Sequence, residues 1–152
     1  MNNEWLYKGK KIKSIDDIKN NTKYIGFVYI IKNTNPKSLF YNKVYIGKKN
    51  FYHNRRAKIT IKEKTNTQTR KKFKVITKES DWLTYYGSCK ELTSDINKTS
   101  KDDFKREILI LCSNKKELSY CELEYQVKFD VLRDDNCYNS NILGRFFKKD
   151  VK

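Results

Sequence analysis

Proline, histidine and alanine occur once each in this chain, and arginine six times against 28 lysines. No run of 18 apolar residues is present, which excludes a helical membrane span. Residues 1–23 hold no apolar stretch of the secretory-signal type, so export is not expected. The four cysteines, Cys89, Cys112, Cys121 and Cys137, form no C-x-x-C pair, which argues against a structural zinc site. They read as free thiols in a reducing compartment, the cytoplasm. Internal repeats and long low-complexity tracts are also missing. What remains is the length of one domain, 152 residues and 18.3 kDa, able to bury a core without disulfide or metal. Aromatics at 14% argue against wholesale disorder.

Positive charge is what the chain has in excess. The 34 basic and 18 acidic groups leave a formal charge of +16. An AT-rich coding sequence also yields many lysines, but it would spread them evenly. Here residues 1–42 carry net +5, residues 43–78 net +12, and residues 79–152 net −1. A localised positive field is the footprint of a polyanion binder, and nucleic acid is the expected partner.

Residues 24–31 (YIGFVYII) are rich in β-branched and aromatic side chains and predict a strand. Residues 43–47 (KVYIG) predict its antiparallel partner, with Lys43 and Tyr45 on one face. The spacing of Phe51, Arg55 and Ile59 predicts a helix from about residue 50. Residues 60–78 have weak periodicity and predict a mobile or irregular insertion. Ser14 with Asp17 predicts a short helix over 15–19, Ser88 with Glu91 a helix over 89–98, and Asn114 with Glu117 a helix over 115–132. Residues 105–112 predict a third strand, and 138–147 a loop-like tail. The fold class expected is α/β (α+β): a small, mainly antiparallel three-stranded central sheet flanked by helices.

Several residues break this pattern. On the last helix Glu122 falls about 40° from Leu118, inside the stripe of Cys121, Tyr125, Phe129 and Leu132, whereas Glu124 falls about 240° away. A carboxylate there needs a lysine partner, a proton or a metal. Arg55, on the predicted apolar face with Phe51 and Ile59, needs an anion, either an acid such as Glu122 or a phosphate. Tyr29 and Tyr45 sit on neighbouring strands, where alternation lets both hydroxyls reach one side of the sheet. His53 lies among basic residues and reads as a solvated or phosphate-contacting side chain.

The ordered set Gly26-Phe27-Val28-Tyr29, Val44-Tyr45-Ile46-Gly47-Lys48, Arg55, residues 104–109, Glu122 and Cys137-Tyr138-Asn139 resembles the GIY-YIG nuclease module. Together with Trp82, Tyr86-Gly87-Ser88 and residues 141–146, it is most similar to short phage-encoded, homing-type members. The resemblance divides the chain into an N-terminal extension (1–23), a nuclease domain (24–147) with its basic insertion at about 60–78, and a basic tail (148–152). It implies a DNA endonuclease acting in the host-cell cytoplasm with Mg²⁺ or Mn²⁺. In that scheme Glu122 ligates the metal, Arg55 stabilises charge on the phosphate, and Tyr29 helps deprotonate the attacking water beside Tyr45. Lys43 lowers the tyrosine pKa and Asn139 supports the site by hydrogen bonding. Lys48, Lys49, His53, Arg56, Lys58, Arg70, Lys71, Lys72 and Lys74 contact nucleic acid. With no separate DNA-reading domain after the module, target selection is expected from the module, its insertion and its N-terminal extension, or from a partner. The alternative is a catalytically inactive protein of this fold that binds nucleic acid.

Overall fold

The computed structural model describes residues 3–151. In chain order its elements are β1 (Trp5–Tyr7), β2 (Lys10–Ile12), β3 (Gly26–Asn33), β4 (Val44–Asn50), β5 (Tyr52–Lys58), α1 (Ile61–Thr67) and β6 (Phe73–Glu79). They continue as α2 (Lys90–Lys98), β7 (Phe104–Cys112), α3 (Lys115–Lys128), β8 (Asn141–Ile142), β9 (Phe146–Phe147) and α4 (Lys148–Val151).

The central sheet runs β2-β1-β7-β3-β4 and is antiparallel except where β1 meets β7. It has five strands rather than the three expected. Trp5–Tyr7 and Lys10–Ile12, which the sequence reads as short extended pieces about a turn at Tyr7-Lys8-Gly9-Lys10, pair with each other, and β1 joins them to the sheet by lying parallel to β7. β3 lies second from one edge and is covered on both faces, which is why its sequence is a nearly continuous apolar run. Phe27, Tyr29 and Ile31 point into a core with Trp5, Phe51, Trp82 and Leu92. Val28 points into a second core with Ile46, Leu118, Cys121 and Val131, under α3. The register of β3 on β7 shifts between Val28 and Tyr29, a bulge at the residue the family motif singles out.

Residues 50–59 are not a helix. Tyr52–Lys58 is a strand, paired antiparallel with Phe73–Glu79 from Tyr52↔Glu79 to Lys58↔Phe73. The i, i+4, i+8 spacing of Phe51, Arg55 and Ile59 is a coincidence of two hinge residues: Phe51 and Ile59 are buried at opposite ends of the strand, and Arg55 between them is exposed. Arg55 therefore needs no anion to offset burial. The supposed irregular insertion is α1 plus β6. Thr60 accepts from the Glu63 amide and Glu63 bonds back to Thr60, a capping box that starts α1. β6 draws its strand preference from Val75, Ile76 and Thr77.

Helix α2 starts as expected but is not capped by Ser88: its N-cap is Cys89, which makes no side-chain cap bond. Asn114 does cap α3, accepting from the Glu117 amide. The turn after Ser14 carries its capping box but closes as a 3₁₀ turn over Ile15–Asp17. The tail is a small β8–β9 hairpin rather than a loop. All four cysteines are free.

Candidate active site

β4 carries the site. Just beyond it, residues 136–138 pair with its free edge: Val44 donates to the Asn136 carbonyl at 2.8 Å and Tyr138 to the Val44 carbonyl at 2.8 Å. Asn139 completes this edge with its side chain. Its Oδ1 accepts from Ile46 N–H at 3.0 Å and its Nδ2 donates to the Ile46 carbonyl at 2.7 Å. Gln126 of α3 donates to that same carbonyl at 3.1 Å. Three buried bonds thus grip the residue between Tyr45 and Gly47. Asn139, expected to support the site by hydrogen bonding, makes two of these bonds. Gln126 escaped the sequence reading, although it lies one helical turn beyond Glu122 on the same face.

Asn139→Ala should destabilise the fold by about 2–4 kcal/mol, because the buried Ile46 N–H loses its acceptor. Urea unfolding measures this. An unchanged midpoint would mean that the Asn139 bonds contribute nothing net to stability.

Two glycines make room for the tyrosines. A Cβ on Gly47 would come within 2.6 Å of the Tyr29 hydroxyl. Gly87 has φ +86°, and a Cβ there would meet the Tyr45 ring at 3.1 Å. The rings of Tyr29 and Tyr45 lie 6.2 Å apart at their centroids. Tyr29 is 1% exposed, sealed beneath Gly47, and burial foremost, then Tyr45 and Tyr85, push its phenol well above the usual tyrosine range. Tyr45 reaches the cleft. Its phenol is also raised, by burial first, with a hydrogen bond to Ser88 pulling the other way.

The cleft has a volume of about 620 Å³ and is lined by Tyr45, Lys48, Ser88, Lys90, Glu122 and Asn139 among others. Glu122 Oε2 lies 3.2 Å from Lys48 Nζ, and the side chains are 18% and 38% exposed. Lys48 also donates to Ser119 Oγ at 2.9 Å. Glu124 is exposed and does not line the cleft. Lys90 and Ser88, delivered by the start of α2, were not anticipated; a helix boundary gives no hint of which cleft it meets.

Other expectations need correcting. Lys43 cannot lower the Tyr45 pKa: its ammonium pairs with Glu91 at 2.5 Å and sits 4.3 Å from the centroid of the Tyr138 ring. Arg55 does not line the cleft but stands on β5. Lys49 is held by Asp81 at 2.6 Å, over the Tyr85 ring. Lys74 is paired with Glu63 at 2.6 Å. His53, Arg56, Lys58, Arg70, Lys71 and Lys72 are exposed on β5 and on the approach to β6.

Among the described residues no group of three or more His, Cys, Asp or Glu side chains could hold a metal ion. The cleft offers Glu122, with hydroxyls from Tyr45 and Ser88. That donor set suits Mg²⁺, which keeps several waters and takes one or two carboxylates plus substrate phosphate, and does not suit a closed zinc cage. The arrangement can present the carboxylates of Glu122 and Glu91, the latter paired with Lys43, two lysine ammoniums and a phenol to an anionic ester.

No match to the chain is found among curated proteins. None is found among solved structures either. A family model described as "Putative endonuclease segE, GIY-YIG domain" matches residues 5–142. That span runs from β1 through β8 and takes in the sheet, the β5–β6 pair, α3 and Asn139. With the Tyr29–Gly47 contact, Tyr45 and Glu122 built into one sheet-and-helix unit, the chain belongs to the GIY-YIG nuclease family, in its SegE group.

Proposed function

We propose that the chain is a divalent-metal-dependent DNA endonuclease of the phage-encoded, homing-related kind. The observation that carries this reading is the cleft in which Tyr45, Lys48 and Glu122 converge beside a strongly basic segment. Water oxygen attacks phosphorus and releases its proton to solvent, the bond to the leaving sugar oxygen breaks and that oxygen takes up a proton from solvent, and the developing negative charge needs a fixed cation nearby. Lys48 supplies that cation from the side of the cleft, in the role expected of Arg55, and Lys90 faces the same space. Glu122 would hold a hydrated Mg²⁺, or Mn²⁺, which when bound neutralises charge on the phosphoryl oxygen.

Tyr45 works as a neutral phenol that orients the attacking water. Burial raises its phenol above the usual tyrosine range, the direction opposite to the one a general base at neutral pH needs. Tyr29, sealed in the core, packs against Gly47 and does not touch substrate. Tyr45→Phe should lower the single-turnover rate by roughly 10- to 100-fold, the weight of one orienting hydrogen bond or less. Its pH–rate profile should parallel the parent's from pH 6 to 9. A rising limb present in the parent and lost in this variant would make Tyr45 the base after all.

Conversion of supercoiled plasmid to nicked or linear product, with Mg²⁺ and with excess EDTA, tests the reading. Metal-dependent conversion supports it. Tight plasmid binding with no cleavage in Mg²⁺ or Mn²⁺ would point to the inactive binding protein instead.

A further inference from the structure

From the exposed face of the β5–β6 ribbon we infer that this ribbon reads bases in the DNA major groove, giving the nuclease its sequence preference. The inference rests on the proposal that DNA is the substrate. The ribbon forms its own two-stranded sheet, hydrogen-bonded to no strand of the central sheet. At about 3.3 Å per residue its seven paired positions extend roughly 23 Å. A two-stranded ribbon of this kind fits the major groove.

Its root is rigid. Phe51 and Trp82 meet edge to face, ring centroids 4.9 Å apart, where the chain leaves and re-enters the core. Ser80 donates from its amide to the Phe51 carbonyl at 2.8 Å and from Oγ to the Asn50 carbonyl at 2.6 Å. The strand that feeds the ribbon is β4, which carries Tyr45 and Lys48. A groove contact is therefore tied to the cleft by a short stretch of extended chain.

The two faces differ. Ala57, Lys74 and Ile76 on one face are half-buried, and Glu63 of α1 pairs with Lys74 there. The opposite face presents Asn54, Arg56, Lys58, Phe73, Val75 and Thr77, all exposed, Val75 by 65%. Phosphates accept from lysine, arginine, amide and hydroxyl groups alike, so what phosphate contact leaves unexplained is the exposed aliphatic Val75 set beside the planar Asn54 and Arg56 groups. The face carries an amide, a guanidinium, a hydroxyl and a bare aliphatic group, the set that meets adenine, guanine and the thymine methyl. Two of these side chains are already oriented. Thr77 Oγ1 donates to Asn54 Oδ1 at 2.9 Å, and the Arg56 guanidinium stacks 4.3 Å from the Phe73 ring centroid. Net +12 over residues 43–78 supplies the complementary field.

The test compares the parent with the double variant Asn54→Ala/Arg56→Lys, which keeps the charge but removes both planar readers. Bound sequences are selected from a randomised duplex library, and affinity for an unrelated duplex is measured alongside. The variant should keep that unrelated affinity within about threefold and lose preference at one or more positions by roughly 5- to 150-fold per lost pair. Methylation of guanine N7 within the selected site should block the parent, whereas a minor-groove ligand should not. The inference is overturned if the double variant selects the parent's sequences or if N7 methylation has no effect. It is also overturned, with the nuclease reading left standing, if the parent cuts DNA but shows no preference. A parent that neither binds nor cuts duplex DNA overturns both.

Discussion

Glu122→Gln is expected to lower cleavage by about a thousandfold or more, some 4 kcal/mol of barrier, while DNA binding stays within a few-fold of the parent. Glutamine has the shape of the native side chain but cannot neutralise a cation. The carboxylate is half-buried and its ion pair is with Lys48. A pair this exposed contributes at most about 1 kcal/mol to stability, so the variant should fold. Removing a negative charge from a cleft meant for phosphate should leave affinity equal or slightly higher. Single-turnover cleavage at saturating protein, with thermal unfolding as the control, reads these effects. Glu124→Gln is the matched comparison, since Glu124 is exposed outside the cleft, and it should cut at the parent's rate. Full activity in Glu122→Gln with loss in Glu124→Gln would reverse the assignment of the two acids.

Lys48→Met should cost roughly 100- to 1,000-fold in rate, the range seen when one charge-stabilising donor is removed from a transition state. Methionine keeps much of the aliphatic stem, so packing beside Ser119 and Glu122 is largely preserved. The loss should fall on the single-turnover rate and not on affinity, because many other cations hold the DNA. A salt series makes the distinction: the slope of log affinity against log salt should change by no more than about 1. An unchanged rate with weakened binding would demote Lys48 to an ordinary phosphate contact. Arg55→Ala, on the ribbon and outside the cleft, should show that weaker binding effect instead.

The elements legible in the sequence were those whose own side chains face the core. β3 and β7 carry apolar runs that pack on both sides, so their periodicity and composition point one way. Glu122 was legible because α3 buries one stripe, and a carboxylate inside it stands out against Leu118 and Cys121. The ribbon was not legible. Its side chains are almost all exposed, and the half-buried Ala57, Lys74 and Ile76 mix apolar with charged types, so the sequence shows no apolar alternation and the helical spacing of Phe51, Arg55 and Ile59 had nothing to contradict it.

By itself the sequence determined the sheet's centre, the helix bearing Glu122, the concentration of charge in residues 43–78 and the motif order that places the chain in its family. Those are properties of local periodicity, composition and spacing. Tertiary structure decided which cation meets Glu122, which lysines are spent on Glu91, Asp81 and Glu63, and that burial raises both tyrosine phenols. It also decided that residues 52–79 form a ribbon whose strands exist only as each other's partners. Ion pairing, desolvation and strand pairing depend on residues distant in the chain, and no local pattern encodes which of them will meet.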